Sequence, residues 1–309
     1  MNQTEWTYQS SDGTHTIYAT IWTPEEAPVG VVQICHGMVE HMGRYEWLAG
    51  QLCAHGYAVC GDDHLGHGRT AAAQEDLGFF GEQDGVRHLV EDEDRLRREM
   101  EGRFPGLPFF LLGHSMGSFI TRNYVARYGE GLAGYICCGT SGPNPLSKFA
   151  ILLAGFTVAV AGPRRPGKLL NRLAFQNYNK EFGGVAGGHE WLSRDPASYA
   201  GVDDDPKCSF IFTNAGFRDL FRLLDSVTGR KWSDRVPRQL PILLLSGDMD
   251  PVGQYGKGPG KVAGWLKASG VRDVTVKLYP GARHELHNET NKDEVIADLL
   301  GWMANHQQT

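Results

Sequence analysis

Four large apolar residues, Phe109 to Leu112, run directly into Gly113-His114-Ser115-Met116-Gly117, and the residues beyond keep helical spacing. This junction constrains the fold more than any other feature of the chain. A short, continuous apolar run bounded by turn residues reads as a strand buried on both faces, and such strands belong to parallel sheets covered by helices. Gly113 and Gly117 let the backbone pass close to its neighbours while Ser115 takes a strained conformation that pushes its hydroxyl into the open. Phe119, Ile120, Asn123, Tyr124 and Arg127 continue as a helix until Gly129 and Gly131 stop it. Met116 is then the first helical residue, offering its N–H to an oxyanion where the helix dipole favours negative charge. A chance match is a real alternative in a chain with 40 glycines. The flanking strand and helix count against it.

A serine hydroxyl is a weak nucleophile alone, so the elbow requires a carboxylate and a histidine downstream, in that order. Pro241 to Gly247 reads as another buried strand, and Asp248 and Asp250 follow its end. Asp250 lies in the loop, where it can reach an imidazole, whereas Asp248 suits a capping role in the turn; both could also be plain turn carboxylates. The strand Val274 to Tyr279 ends at Pro280-Gly281, and the loop beyond carries His284 and His287. Either could serve as the base on position alone. Towards the N-terminus, Val29 to Cys35 reads as a strand entering His36-Gly37-Met38-Val39-Glu40-His41. There Gly37 permits a backbone N–H to turn inward and Met38 is placed to give a second oxyanion donor beside Met116. A simple strand-to-helix turn before Tyr45, Leu48, Ala49 and Leu52 is the plainer reading.

Together these segments resemble the α/β-hydrolases of the monoacylglycerol lipase and lysophospholipase group, also described as serine aminopeptidase S33. The likeness is carried by His36 to His41 with Gly43-Arg44-Tyr45, by Asp63-His64-Leu65-Gly66-His67-Gly68, by the elbow, and by Tyr279 to Leu286. It implies an α/β-hydrolase fold with Ser115 as nucleophile, Asp250 as acid, His284 as base, and Met38 and Met116 as oxyanion donors. His36, Gly37, Gly113, His114 and Gly117 would shape the elbow and oxyanion loop, and the Asp63 to Gly68 loop would shape the wall behind the site. Ser118 departs from the third glycine of many relatives. Asp62 and the tract Gly253 to Gly258 are also unusual, and they bear on substrate rather than chemistry.

The 309 residues, 41% of them hydrophobic, suffice for one catalytic domain with an insertion. With 30 basic and 36 acidic residues and no basic run, nothing marks a nucleic-acid partner. The start of the chain lacks a basic and an apolar region, so a cytoplasmic location is expected. The six cysteines fall in apolar runs without metal-type spacing, so free thiols and neither metal nor cofactor are expected. Cys35 adjoins His36, but neighbours on a strand face opposite ways, which argues against a catalytic pair.

Alternating strands and helices imply a mostly parallel central sheet, with Trp6 to Ser10 and Thr16 to Trp22 as an antiparallel edge. Asn291 is placed to cap the last helix, with Glu294 three residues on and Val295, Ile296, Leu299, Leu300 and Met303 on one face. After the sixth strand, Tyr135 to Cys138, the alternation is lost. Residues 142–234 are therefore expected to form a helical cap inserted into a catalytic domain of residues 1–141 and 235–309. Helical stripes are visible at Leu170, Leu173, Ala174 and Tyr178 and at Phe217, Leu220, Phe221 and Leu224. Phe149 to Ala161 carries no charge and is shorter than the roughly 20 residues a membrane span needs. It reads as a buried cap helix or the apolar wall of an acyl pocket; membrane contact is the less favoured reading, because a polar face is missing. Asp203-Asp204-Asp205 before Pro206 reads as a solvated turn rather than an amine site. Trp191, Tyr199 and Phe210 are candidate pocket aromatics, though packing is the commoner role.

The expected activity is hydrolysis of small acyl esters, of monoacylglycerol or lysophospholipid type, through an acyl-enzyme. Amide or thioester cleavage by the same triad is the alternative, and a hydrolase-shaped binding protein the remote one. Oligomeric state is left open.

Overall fold

The computed structural model describes residues 1–184 and 188–307. Its centre is a single eight-stranded sheet: β1 (Asn2–Gln9), β2 (Thr16–Thr23), β3 (Gly30–Cys35), β4 (Tyr57–Asp63), β5 (Phe109–His114), β6 (Gly134–Cys138), β7 (Ile242–Gly247) and β8 (Val274–Tyr279). The spatial order is β1-β2-β4-β3-β5-β6-β7-β8. β1 and β2 pair antiparallel, β2 joins β4 antiparallel, and the remaining pairs are parallel. Every residue of β3, β4, β5, β6 and β7 is buried, which is why β5, β6 and β7 read as short apolar runs. β1 alternates only weakly and is largely exposed, as an edge strand can be.

Nine α-helices complete the architecture: α1 (Glu46–Ala54), α2 (Gly85–Arg103), α3 (Met116–Tyr128), α4 (Ser147–Ala161), α5 (Lys168–Phe175), α6 (Asn214–Ser226), α7 (Arg230–Ser233), α8 (Lys257–Ala268) and α9 (Lys292–Ala304), counted among the described residues. They split the core into two layers. One layer gathers Leu89, Leu96, Ile120, Val125, Phe217 and Trp232 on the side of α2, α3 and α6. The other gathers Leu48, Leu52, Ile296, Leu299 and Met303 on the side of α1 and α9. Sheet positions alternate between them: Val31 and Leu111 face the first, Val32 and Phe110 the second.

Between β6 and β7 the described chain holds helices and turns with one isolated bridge, Pro166 to Thr213, so a helical cap follows the sixth strand. α4 packs on α6, and α6 in turn packs on α2 and α3. Arg122 anchors the return of the chain: its guanidinium lies over the Trp232 ring at 4.5 Å and donates to the carbonyl of Val227.

Two local expectations need correction. Asn291 does occupy the N-cap of α9, but its side chain makes no cap bond to the helix; its oxygen accepts from Arg194 at 2.6 Å and its amide donates to Glu294 at 2.9 Å. The larger correction concerns α4. It is not a buried helix: only Ser147 and Ala154 are buried, while Phe149, Leu152, Phe156 and Val160 face solvent. Ser147 donates to Asp225 of α6, and Ala154 and Leu153 pack into the core, while the stripe from Phe149 to Val160 is left uncovered.

Candidate active site

The site lies at the carboxyl ends of β3, β5, β7 and β8, near the point where the strand order reverses, as open α/β sheets favour. At the end of β5 the chain turns within one residue. Ser115 sits at φ 54°, ψ −119°, a region that a side chain rarely adopts, and α3 begins at Met116. The turn is possible because Gly117 passes against β3: a Cβ there would lie 2.0 Å from the carbonyl oxygen of Cys35. Ser115 N–H donates to the carbonyl of Cys138 at 3.1 Å, tying the elbow to β6. Ser118, the departure from the third glycine of relatives, contributes to the same anchorage: its hydroxyl donates to the Ser115 carbonyl at 2.5 Å and lies 2.8 Å from Thr140 Oγ1.

His284 and Asp250 meet beneath the surface. His284 Nδ1 is hydrogen-bonded to Asp250 Oδ2 at 3.0 Å, and both side chains are almost fully buried. Asp250 Oδ1 is held by the N–H of Val252 at 2.8 Å. The other imidazole nitrogen, Nε2, is buried with no hydrogen-bond partner. Three neighbours fix the ring. Trp191 stands 5.0 Å away, His114 stands 4.8 Å away, and Gly139, at φ 59°, lies so close that a Cβ would come within 3.0 Å of His284 Cε1. Asp248 takes the turn role anticipated for it, accepting from Gly281 N–H at 2.7 Å. His287 stacks on Tyr45 at 4.7 Å, and burial together with the charge of His114 pushes it down to about 3. The structure therefore pairs His284 with Asp250 and leaves His287 neutral in the packing behind.

The loop after β3 lies beside the elbow. A Cβ on Gly37 would sit 3.1 Å from Ser115 Cβ. Met116 heads α3, so its N–H has no intrahelical acceptor. Met38 lies at the turn between Gly37 and Val39, partly buried against the core. His36 is buried, with Nδ1 2.7 Å from the Gly37 carbonyl oxygen and Nε2 accepting from His64 N–H at 3.1 Å; its ring stacks on His64 at 3.8 Å.

A charged web that no local sequence pattern announces holds this loop. Glu40 Oε1 accepts from the N–H of Gly37 and, at 2.9 Å, from the Tyr45 hydroxyl; it lies 3.3 Å from His114 Nδ1. Arg44 joins Glu40 at 3.2 Å and grips Glu285 through two bonds of 2.9 and 2.8 Å. Burial alone would raise the Glu40 carboxyl, but the bond to His114 and the charges of His114 and Arg44 hold it well below the usual range. The same web raises His114 against its burial, chiefly through Glu40. One step outward, Asp62 also finds its place. It pairs with His64 Nδ1 at 2.9 Å and accepts from the Tyr8 hydroxyl. Glu93 lies on the same nitrogen at 3.3 Å, and despite burial the two carboxylates lift His64 to about 9. Asp63 braces its loop, accepting from Met42 N–H at 2.9 Å and Arg69 N–H at 2.8 Å.

The remaining candidates separate. Trp191 borders His284, and its carbonyl accepts from His284 N–H at 3.4 Å. Phe210 packs with His67 and Phe212, whereas Tyr199 lies beside His189 away from the imidazole. Asp203 and Asp204 fall in a short 3-10 turn; Asp203 lies 2.9 Å from His189, and Asp205 accepts from His41 at 3.0 Å and from Lys207 N–H at 2.8 Å. Cys35 is a fully buried thiol 3.5 Å from His64 Nε2, pushed well up by burial, and all six cysteines are buried thiols.

Comparison with known proteins fits this geometry. Residues 26–291 match the family described as serine aminopeptidase, S33. The chain is 31% identical over 309 residues to a monoacylglycerol lipase of Mycolicibacterium smegmatis, with 98% of each chain covered. It is 28% identical to the monoglyceride lipase of Homo sapiens, covering 97% of this chain and 90% of that one. A thermostable carboxyl esterase from Bacillus coagulans, solved with glycerol, superposes with a TM-score of 0.92 at 33% identity over 99% of both chains. With the elbow, the buried Asp250–His284 pair and a match over most of its length, the chain belongs to the serine aminopeptidase S33 family of α/β-hydrolases.

Proposed function

We propose that this serine ester hydrolase cleaves monoacylglycerols or lysophospholipid-like acyl esters through a triad of Ser115, His284 and Asp250. The observation that carries the reading is the buried His284–Asp250 pair, whose outer nitrogen has no partner, together with a serine held at φ 54° in the elbow. With its proton on Nδ1 the imidazole donates to Asp250, leaving Nε2 to accept the Ser115 proton as Oγ attacks the ester carbonyl. The oxyanion is met by the N–H groups of Met38 and Met116. Collapse expels the alcohol, which takes the proton from His284, and a water activated by the same nitrogen releases the acid from the acyl-enzyme. Asp250, closed off from water, stabilises the imidazolium in both steps.

In this reading residues 142–234 form the cap over a catalytic domain of residues 1–141 and 235–309, and α6 and α7 carry the chain back to the sheet. The preference for a lipid-like acyl chain draws support from the lipase and esterase relatives and from the partly apolar surroundings of Met38, Val39, Trp191 and Phe210. Amide cleavage would need a carboxylate free to bind a substrate amine. Of the consecutive aspartates Asp203 to Asp205, two are already engaged, Asp203 by His189 and Asp205 by His41.

The test is the initial rate on monoacylglycerols of increasing acyl length, with Ser115→Ala as control. A rate that rises with medium or long chains and vanishes in the control supports the reading. Activity confined to the shortest esters, or to aminoacyl amides, moves the substrate elsewhere.

A further inference from the structure

Among the described residues two groups bring three side chains of metal-ligating type together, their donor atoms within 4.8 Å of one another. Cys35, His64 and Glu93 form the first. Its histidine rules it out. Despite burial, two carboxylates lift His64 to about 9; Nδ1 is bonded to Asp62 at 2.9 Å and Nε2 lies 3.2 Å from the His36 carbonyl oxygen. An imidazolium that donates from both nitrogens has no lone pair to offer a metal.

The second group is His41, Asp205 and Cys208. His41 Nε2 lies 3.0 Å from Asp205 Oδ2, and the Cys208 thiol donates to the same oxygen at 3.6 Å. Nitrogen, oxygen and sulfur donors therefore meet from two distant parts of the chain: His41 follows β3, whereas Asp205 and Cys208 share the turn before α6, 164 positions on. The turn holds its pair firmly. Asp205 Oδ1 accepts from Lys207 N–H at 2.8 Å, and the Asp205 carbonyl accepts from Cys208 N–H at 2.9 Å and from the Ser209 hydroxyl at 2.8 Å. Oδ1 is thereby fixed and Oδ2 is turned to the histidine. Against partial burial, the Lys207 N–H and the His41 ring hold the Asp205 carboxyl below its usual range, so it is ionised.

Access and charge agree. With Gly43, Glu46 and Lys207, His41 lines a partly open polar cavity of about 220 Å³, which gives a hydrated ion its approach. Burial and Asp205 push the Cys208 thiol up to about 12, so at neutral pH it keeps its proton until a cation displaces it. A thiolate and a carboxylate neutralise a divalent ion. Arg44 nearby, already gripped by Glu40 and Glu285, then has no net charge to repel.

We propose that His41 Nε2, Asp205 Oδ2 and Cys208 Sγ bind one Zn²⁺, with a water completing the tetrahedron. Sulfur and nitrogen donors select zinc over calcium and magnesium, which take oxygen ligands. The His41 Nδ1 accepts from Gly43 N–H at 3.2 Å, so before binding the ring proton sits on Nε2 and points at Asp205. Binding moves that proton to Nδ1 through solvent and frees the thiol proton, a net release of one proton per ion. Gly43 N–H, on the exposed side, turns to water instead. The ion clasps the turn before α6 to the loop that carries Met38, and no step of ester cleavage passes through it.

The test is calorimetric titration of the chelator-treated full chain with zinc chloride, repeated with cobalt chloride under optical spectroscopy. One ion per chain is expected, with a thiolate-to-cobalt charge-transfer band and the strong visible bands of tetrahedral cobalt. Titration in two buffers of different ionisation enthalpy should show one proton released. Zinc at about 100 times Kd should raise the melting temperature by about 5 °C. Cys208→Ser should lose the charge-transfer band. Cys208→Ser, His41→Gln and Asp205→Asn should each weaken zinc binding by about 100-fold or more, beyond the roughly 10- to 100-fold cost of losing a group behind a ligand. Glu46→Gln, on the cavity wall but outside the donor set, should bind as the parent does. Melting temperatures without metal show which variants fold, and Asp205→Asn, which keeps the side-chain shape, serves where Cys208→Ser does not. Absence of saturable binding overturns the proposal. So does parental affinity in a folded Cys208→Ser or Asp205→Asn variant, or an octahedral cobalt spectrum without the thiolate band. Ion binding is read without turnover, so its failure and failure of the ester reading are separate results.

Discussion

The elbow and the cap treat water in opposite ways. Around Ser115 the protein buries ionisable side chains: Glu40, Asp62, His64, Glu93, Asp250, His284 and Glu285 are each no more than 2% exposed. Along α4 it does the reverse and exposes phenylalanine, leucine and valine. Folding stability favours neither choice, because a buried charge costs several kcal/mol of desolvation and an exposed apolar side chain forgoes about 1.5–3 kcal/mol of burial. The difference teaches where function has been given priority over stability. The buried charges hold a backbone turn and a histidine in fixed positions, whereas the exposed hydrophobes hold nothing within the monomer.

The sharpest way to break this comparison is at the acid. Asp250→Asn should lower kcat by about 10⁴ while leaving the fold intact, the size of loss seen when a triad carboxylate no longer sets its histidine's tautomer. Asp248→Asn should stay within a few-fold of the parent, since its bond serves the turn at Gly281. Steady-state kinetics on a soluble ester decides between them, and the reverse pattern would exchange their roles. Next in size is Glu40→Gln, which leaves Arg44 and His114 without their shared carboxylate. Removing one partner of a buried ionic web costs about 3–5 kcal/mol, to be read as a lower urea midpoint. A loss under about 1 kcal/mol would mean the web is ornamental to stability.

Protonation offers a finer probe. His287 is pushed down to about 3, far below the ordinary value near 6.5, so between those values the unfolded chain binds a proton that the native protein does not. Its contribution to stability is complete above pH 6.5 and is lost progressively as pH falls towards 3. His287→Gln should therefore lose about 2 kcal/mol less than the parent between pH 7 and pH 5, measured by urea unfolding at each pH. The smallest effect is expected on the cap. Leu152→Ser should change stability by no more than about 0.5 kcal/mol, against about 2–5 kcal/mol for Leu170→Ala, which removes a side chain only 1% exposed. A large loss at Leu152 would place that residue inside a contact the comparison assigns to solvent.

Much of the scaffold was legible because buried parallel strands write themselves as apolar runs. β5, β6, β7 and the elbow could be read from Phe109, Tyr135, Ile242 and their neighbours alone. The reading failed where it needed direction rather than composition. A charge-free stretch such as Phe149 to Ala161 looks buried, yet the sequence does not say that Ala154 turns into the core while Phe156 turns outward. The charged web was illegible for another reason. Glu40 and His114 are 74 positions apart, and Arg44 and Glu285 are 241 apart, so no local pattern announces their meeting. Glu40, Arg44 and Glu285 all lie in the segments that carry the family likeness, and that was the one available signal.

Gly139 is the first residue after β6, and it is both the floor beneath the His284 ring and the start of the excursion into the cap. Its neighbour Cys138 holds the backbone of Ser115. The segment that leads out towards the cap therefore also seats the imidazole, so any side chain added at Gly139 would press on the ring before it reached solvent.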